Sequence, residues 1–182
     1  MGSTYSFILK REKSRLNYPS KLVFGRKDID TENHSLLKML GYLLFFRDRL
    51  EVECNDHLEM IPFTPDLIQL DYELRPALWI ECGECDMKKL DRLAVKVPEA
   101  EIWVLKPSKK EVDLLILGMQ KAGLRKNRYH LIAFDPEMLE ELKGLLLSRN
   151  DVFWHKGTFD PPYVEFEFNG IWFEGGFRVS QF

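Results

Sequence analysis

Pro65-Asp66-Leu67-Ile68-Gln69-Leu70, then Asp71-Tyr72-Glu73-Leu74-Arg75, then Pro76-Ala77-Leu78-Trp79-Ile80-Glu81-Cys82-Gly83: this stretch decides the fold. Two runs rich in branched and aromatic residues flank a short polar turn, the pattern of a β-hairpin. A turn centred on Glu73 and Leu74 sets Leu70 opposite Ala77, Ile68 opposite Trp79 and Asp66 opposite Glu81. Directly opposed residues hold their Cβ atoms about 5 Å apart. Two carboxylates that close repel unless a cation lies between them. A hard cation such as Mg²⁺ takes oxygen ligands and readily uses one or two carboxylates. A one-residue slip of the register would carry Glu81 to the other sheet face.

Working outward, Tyr5 to Leu9 and Lys21 to Phe24 read as a pair of strands. Asp30 or Thr31 can N-cap a helix running to about Phe46, with Leu36, Leu37, Leu40, Leu43 and Leu44 on the helical period. Glu32 precedes Leu36, Leu40 and Leu43 at helical spacing, which predicts that it lies on the buried stripe and points at the sheet. Arg49 to Glu53 is a short strand. Beyond the hairpin, Asp86 can cap a helix that must stop near Pro98. Glu101 to Leu105 and Tyr129 to Phe134 read as strands, Lys109 to Gly123 and Pro136 to Leu147 as helices. Val152 to His155, Tyr163 to Phe168 and Ile171 to Phe173 are strands, the last two joined by the Asn169-Gly170 turn. The order predicts a mixed α/β sandwich with an antiparallel middle and crossover helices.

At 182 residues the chain, 1–182, is long enough for one domain with a full core. Three cysteines, an odd number, argue against a disulfide framework and for a reducing cytoplasm. No apolar run reaches the roughly 18 residues of a membrane span, and no signal-peptide pattern is apparent. The formal net charge of -3 argues against a dedicated nucleic-acid coat. Local basic clusters occur at Lys10, Arg11, Lys13, Arg15, at Lys106, Lys109, Lys110, and at Lys121, Arg125, Lys126, Arg128, and read as solvated faces.

Glu32, Pro65-Asp66-Leu67, Leu78-Trp79-Ile80-Glu81-Cys82-Gly83 and the basic stretch Asp86 through Arg92 resemble the PD-(D/E)XK, restriction-endonuclease-like superfamily. More narrowly they resemble its YaeQ-like branch, over Thr31-Glu32 through Leu105. The resemblance implies a restriction-endonuclease-like mixed β-sheet core flanked by helices, with additional strands at both ends. It implies a metal-dependent nuclease acting on DNA, less so on RNA, with Mg²⁺ or Mn²⁺ held by Asp66, Glu81 and the Cys82 carbonyl. The resemblance implies that Glu32 either supports the metal's ligands from behind or binds a second metal ion. The lysine that the superfamily carries two residues beyond Glu81 is Gly83 here. The resemblance places its replacement in the following helix, at Lys88, Lys89 or Arg92, and Lys89 borders that helix's core face.

Two other readings stand beside this one. Gly83 suits a catalytically inactive protein that keeps the nuclease fold as a nucleic-acid-binding or regulatory module. Cys54-x-x-His57 and Cys82-x-x-Cys85 have the spacing of a Cys₃His zinc site, which would make a small zinc-stabilised interaction domain.

Overall fold

Apolar alternation and capping residues partition the chain into fifteen elements among the described residues of a computed structural model, which are 4–11, 18–25, 31–54, 56 and 58–182. Asp30, Lys13, Arg15 and His57, named above, lie outside them. The chain divides into two compact units: residues up to Asp48 with Phe134–Phe177, and Arg49–Ala133 with Arg178–Phe182.

In the first unit, β1 (Thr4–Arg11), β2 (Lys21–Gly25), β8 (Arg149–Phe159), β9 (Pro162–Phe168) and β10 (Ile171–Gly176) form a sheet in the order β10-β9-β8-β1-β2. Only the β1–β8 pair is parallel. β8 is longer than predicted because its register shifts between Trp154 and Lys156. That bulge breaks the two-residue alternation on which a sequence assignment depends. Helices α1 (Glu32–Leu44) and α4 (Pro136–Leu145) belong to the same unit. Thr31 caps α1 by accepting the His34 N–H. Every residue of α1 from Ser35 to Leu43 is buried, Lys38 included, so this helix has no single buried stripe. Glu32 is exposed, which corrects the prediction that it faces the sheet. It is the first helical residue and sits one turn before the buried segment begins, so stripe spacing does not decide its environment.

In the second unit, β3 (Leu50–Val52), β4 (Leu67–Leu70), β5 (Pro76–Cys82), β6 (Glu101–Lys106), β7 (Tyr129–Ala133) and β11 (Arg178–Gln181) form a sheet in the order β11-β7-β6-β5-β4-β3. The meander β3-β4-β5 is antiparallel, whereas β5, β6 and β7 are parallel and joined through α2 (Met87–Lys96) and α3 (Lys109–Ala122). Parallel neighbours need such crossovers because a tight turn cannot reverse the chain twice. One sheet face, carrying Ile68, Trp79, Ile102, Val104, Tyr129 and Leu131, packs against Leu90, Leu93 and Ala94 of α2 and Val112, Leu115 and Met119 of α3. β11 is a further strand that four residues of weak alternation do not announce; it pairs antiparallel with β7.

The hairpin closes through Asp71, whose side chain accepts the Glu73 and Arg75 N–H groups while Leu74 takes a left-handed φ of 61°. Ile68 faces Trp79, as its sequence predicts. Leu70 pairs with Pro76 and not Ala77, because the register shifts between Gln69 and Leu70. The irregularity stays at the turn end and leaves the register at the acid end intact.

Candidate functional site

β4 begins at Leu67, opposite Ile80, so the same register carried one residue further brings Asp66 to Glu81. Backbone pairing ends there, and side-chain chemistry continues it. The Asp66 Oδ2 accepts the Cys82 N–H at 2.7 Å, while its own carbonyl accepts the Glu53 N–H at 3.0 Å. Asp66 is therefore tied to β5 on one side and to the end of β3 on the other.

Glu81 points into the face covered by α2 and is 4% exposed. Its Oε1 accepts the indole N–H of Trp79, two residues earlier on the same face, at 2.7 Å. The Lys89 Nζ lies 2.7 Å from Oε2 and 2.7 Å from Oε1. Burial pushes the Glu81 carboxyl above its ordinary range. The Lys89 charge opposes that shift, and Asp66 reinforces it.

Lys89 reaches this position because Asp86 caps α2 by accepting the Lys88 N–H at 2.7 Å. That fixes the first turn with Leu90, Leu93 and Ala94 inward. Lys89 borders the inward face, and its ammonium also lies 3.5 Å from the Thr64 carbonyl and 5.9 Å from the centre of the Phe63 ring. Lys88 and Arg92 are exposed. Of the three basic candidates in this helix, Lys89 is the one bonded to Glu81.

Gly83 follows at φ 75°, and a Cβ built there would meet nothing within 4 Å. Its N–H donates to the Leu105 carbonyl at 2.9 Å, so β5 leaves the sheet alongside the end of β6. That end carries Lys106, which is 5% exposed. The sequence places Lys106 in a solvated cluster with Lys109 and Lys110; those two are exposed and Lys106 is not. The signal for it is in the alternation: Ile102 and Val104 line the core face and Lys106 ends the same series. Cys85 sits among these charges. Burial, foremost, and then Glu81 push its thiol up, Lys106 and Lys89 pull it down, and Asp66 adds a smaller upward push.

Other predicted residues lie elsewhere. Glu32 is an exposed residue of the first unit. The Cys82 side chain is buried on the face opposite Glu81, shared with Leu78 and Ile80, while its main chain borders the site. Cys54 is bonded to Glu51 and Asp56. Among the described residues, no group of three His, Cys, Asp or Glu is arranged to hold a metal ion. No helix of the described residues is long and apolar enough to cross a membrane.

No family model matches the sequence, and neither does any curated protein. Solved structures do. The YaeQ protein from Xanthomonas axonopodis pv. citri is 20% identical, over 100% of this chain and 99% of that one, with a TM-score of 0.71. The YaeQ protein from Pseudomonas syringae is 16% identical, over 99% and 95%, with a TM-score of 0.69. At such identities the likeness is one of fold, and it spans the whole chain.

Proposed function

We propose that this YaeQ-like fold carries a phosphodiester-hydrolysing site of the PD-(D/E)XK type, acting on nucleic acid, DNA before RNA. The observation that carries the reading is the triad itself: Asp66 and Glu81 at adjoining strand ends, with the Lys89 ammonium on the buried carboxylate.

The donor set suits Mg²⁺ or Mn²⁺. Two carboxylates and the Cys82 carbonyl are hard oxygen donors, and a Mg²⁺ site completes its shell from water and substrate phosphate without a third acidic side chain. An ammonium already lies against Glu81, so the pair draws a cation. Bound by Asp66 and Glu81, a divalent ion would acidify a water and offset charge on the phosphate. The chain's own groups do the rest. Trp79 holds Glu81 in orientation, the Cys82 N–H holds the half-buried Asp66, and burial keeps bulk water from Glu81. Lys89, freed from Glu81 by the competing cation, would orient the attacking water or stabilise charge in the transition state.

A second reading, the inactive nuclease-fold module, draws on one observation: both Glu81 oxygens already have partners. The test is cleavage of single- and double-stranded DNA and RNA with Mn²⁺, alongside calorimetric Mn²⁺ binding. Wild type is expected to cut, and Asp66→Ala or Glu81→Gln to lower the rate at least a hundredfold. Cleavage that survives both substitutions overturns the site. Mn²⁺ binding without any cleavage selects the inactive module.

A further inference from the structure

The segment that leads into Asp66 also walls a groove beside α2. Leu58 is buried in the core of the second unit, Ile61 packs against that core, and the Ile61 N–H donates to the Leu58 carbonyl at 2.8 Å. This turn pins the segment, leaving Pro62 exposed and Phe63 half-buried. An open groove of about 450 Å³ lies there, lined by Glu59, Met60, Pro62 and Phe63 of the segment and by Arg92 and Lys96 of α2. That volume falls within the roughly 300–1,000 Å³ typical of small-ligand sites. Arg92 and Lys96 are exposed, and neither forms an ion pair among the described residues.

Lys89, Arg92 and Lys96 follow one another at three and four residues, so they form one row along α2. At 1.5 Å per residue the row is about 10 Å long, starting at the Glu81 carboxylate. Phe63 joins the groove to the site. Its ring centre lies 5.9 Å from the Lys89 Nζ, and the same ring lines the groove with Arg92 and Lys96. A row of cations on one wall and an aromatic ring on the other suits a nucleotide strand, because phosphates meet the cations and any base can stack on the ring. Glu59 is one acid against two cations, so the charge of the groove favours an anionic occupant. In a duplex the base faces are already stacked on one another; an unpaired strand leaves one free for Phe63.

We propose that this groove binds single-stranded nucleic acid leading into the site, with a base stacked on Phe63 and the flanking phosphates on Arg92 and Lys96. That the strand leads to a scissile phosphate rests on the nuclease reading; the affinity of the groove for a single strand does not.

The test measures binding of a short fluorescent oligothymidylate, and of a duplex of equal length, to the whole protein without divalent ions. Wild type is expected to prefer the single strand. Phe63→Ala should weaken that binding about tenfold and leave its salt dependence unchanged, while Phe63→Trp should retain it. Arg92→Gln combined with Lys96→Gln should lower the slope of log affinity against log salt by about 1.4, the value for two lost phosphate contacts on a single strand. Both cations are exposed, so this variant should melt like wild type, and its slope decides the matter if Phe63→Ala does not fold. No binding by wild type, equal affinity for the duplex, or a slope unchanged by loss of both cations overturns the proposal. Single-strand binding that depends on these residues, without any Mn²⁺ cleavage, removes the nuclease reading and leaves the groove. Mn²⁺ cleavage by wild type, with oligothymidylate affinity unchanged in the variants, removes the groove and leaves the nuclease reading.

Discussion

Burying a carboxylate is unfavourable unless donors meet its oxygens, and Glu81 meets two, the Trp79 indole and the Lys89 ammonium. Even so, its carboxyl stays above the ordinary value of 4.5, because burial outweighs the pairing and Asp66 adds repulsion. The pH dependence follows with a definite sign. A carboxyl whose folded pKa is raised favours the folded state most below the unfolded value, and loses that contribution as pH rises through the folded one. The Tm of wild type minus that of Glu81→Gln should therefore fall as pH increases from 4 to 8, read by calorimetry without divalent ions. Adding Mn²⁺ should reverse the slope, since a bound cation favours the carboxylate. Lys89→Met should destabilise at neutral pH by about 3 kcal/mol, the scale for stranding one member of a buried pair. The loss should shrink toward pH 4 as Glu81 takes up a proton, which denaturant titrations at the two pH values would read.

At the scale of the elements, the site depends on how β5 ends and how α2 begins. Gly83 turns the chain out of the sheet at a left-handed φ where no neighbour restricts a Cβ, so Gly83→Ala isolates the backbone cost. It should lower stability by about 1–2 kcal/mol in denaturant titrations. Asp86 holds the first turn of α2 through the Lys88 N–H. Asp86→Ala should cost about 1 kcal/mol and should reduce Mn²⁺-dependent cleavage as well, because the frayed turn carries Lys89. A comparable loss of cap at Asp135, which starts α4 in the other unit, should leave cleavage unchanged. That contrast separates positioning of Lys89 from general stability.

At the scale of the molecule, the unit that holds the site is completed by residues distant in sequence. Phe182 sits in the core of that unit, with its backbone bonded to Arg128 and Tyr129 and its ring 6.4 Å from the Tyr129 ring. Tyr129 in turn donates its hydroxyl to the Leu90 carbonyl of α2 at 2.9 Å, and burial lifts its pKa to about 12. Phe182→Ala should cost about 3 kcal/mol by denaturation.

The sequence by itself determined what short-range periodicity and capping determine. The hairpin register around Ile68 and Trp79, the cap at Asp86, the start of the first helix at Asp30 or Thr31, and the approach of Asp66 to Glu81 all follow from short-range pattern. Only the tertiary structure decided the rest. Glu32 is exposed because it opens α1 one turn before the segment that is buried on every side, which helical spacing does not reveal. Lys106 lies beside Gly83 because β6 runs parallel to β5 after a helical crossover, a pairing that no local pattern encodes. Local periodicity reports which way a side chain faces; which strand becomes its neighbour is settled by burial of the whole sheet.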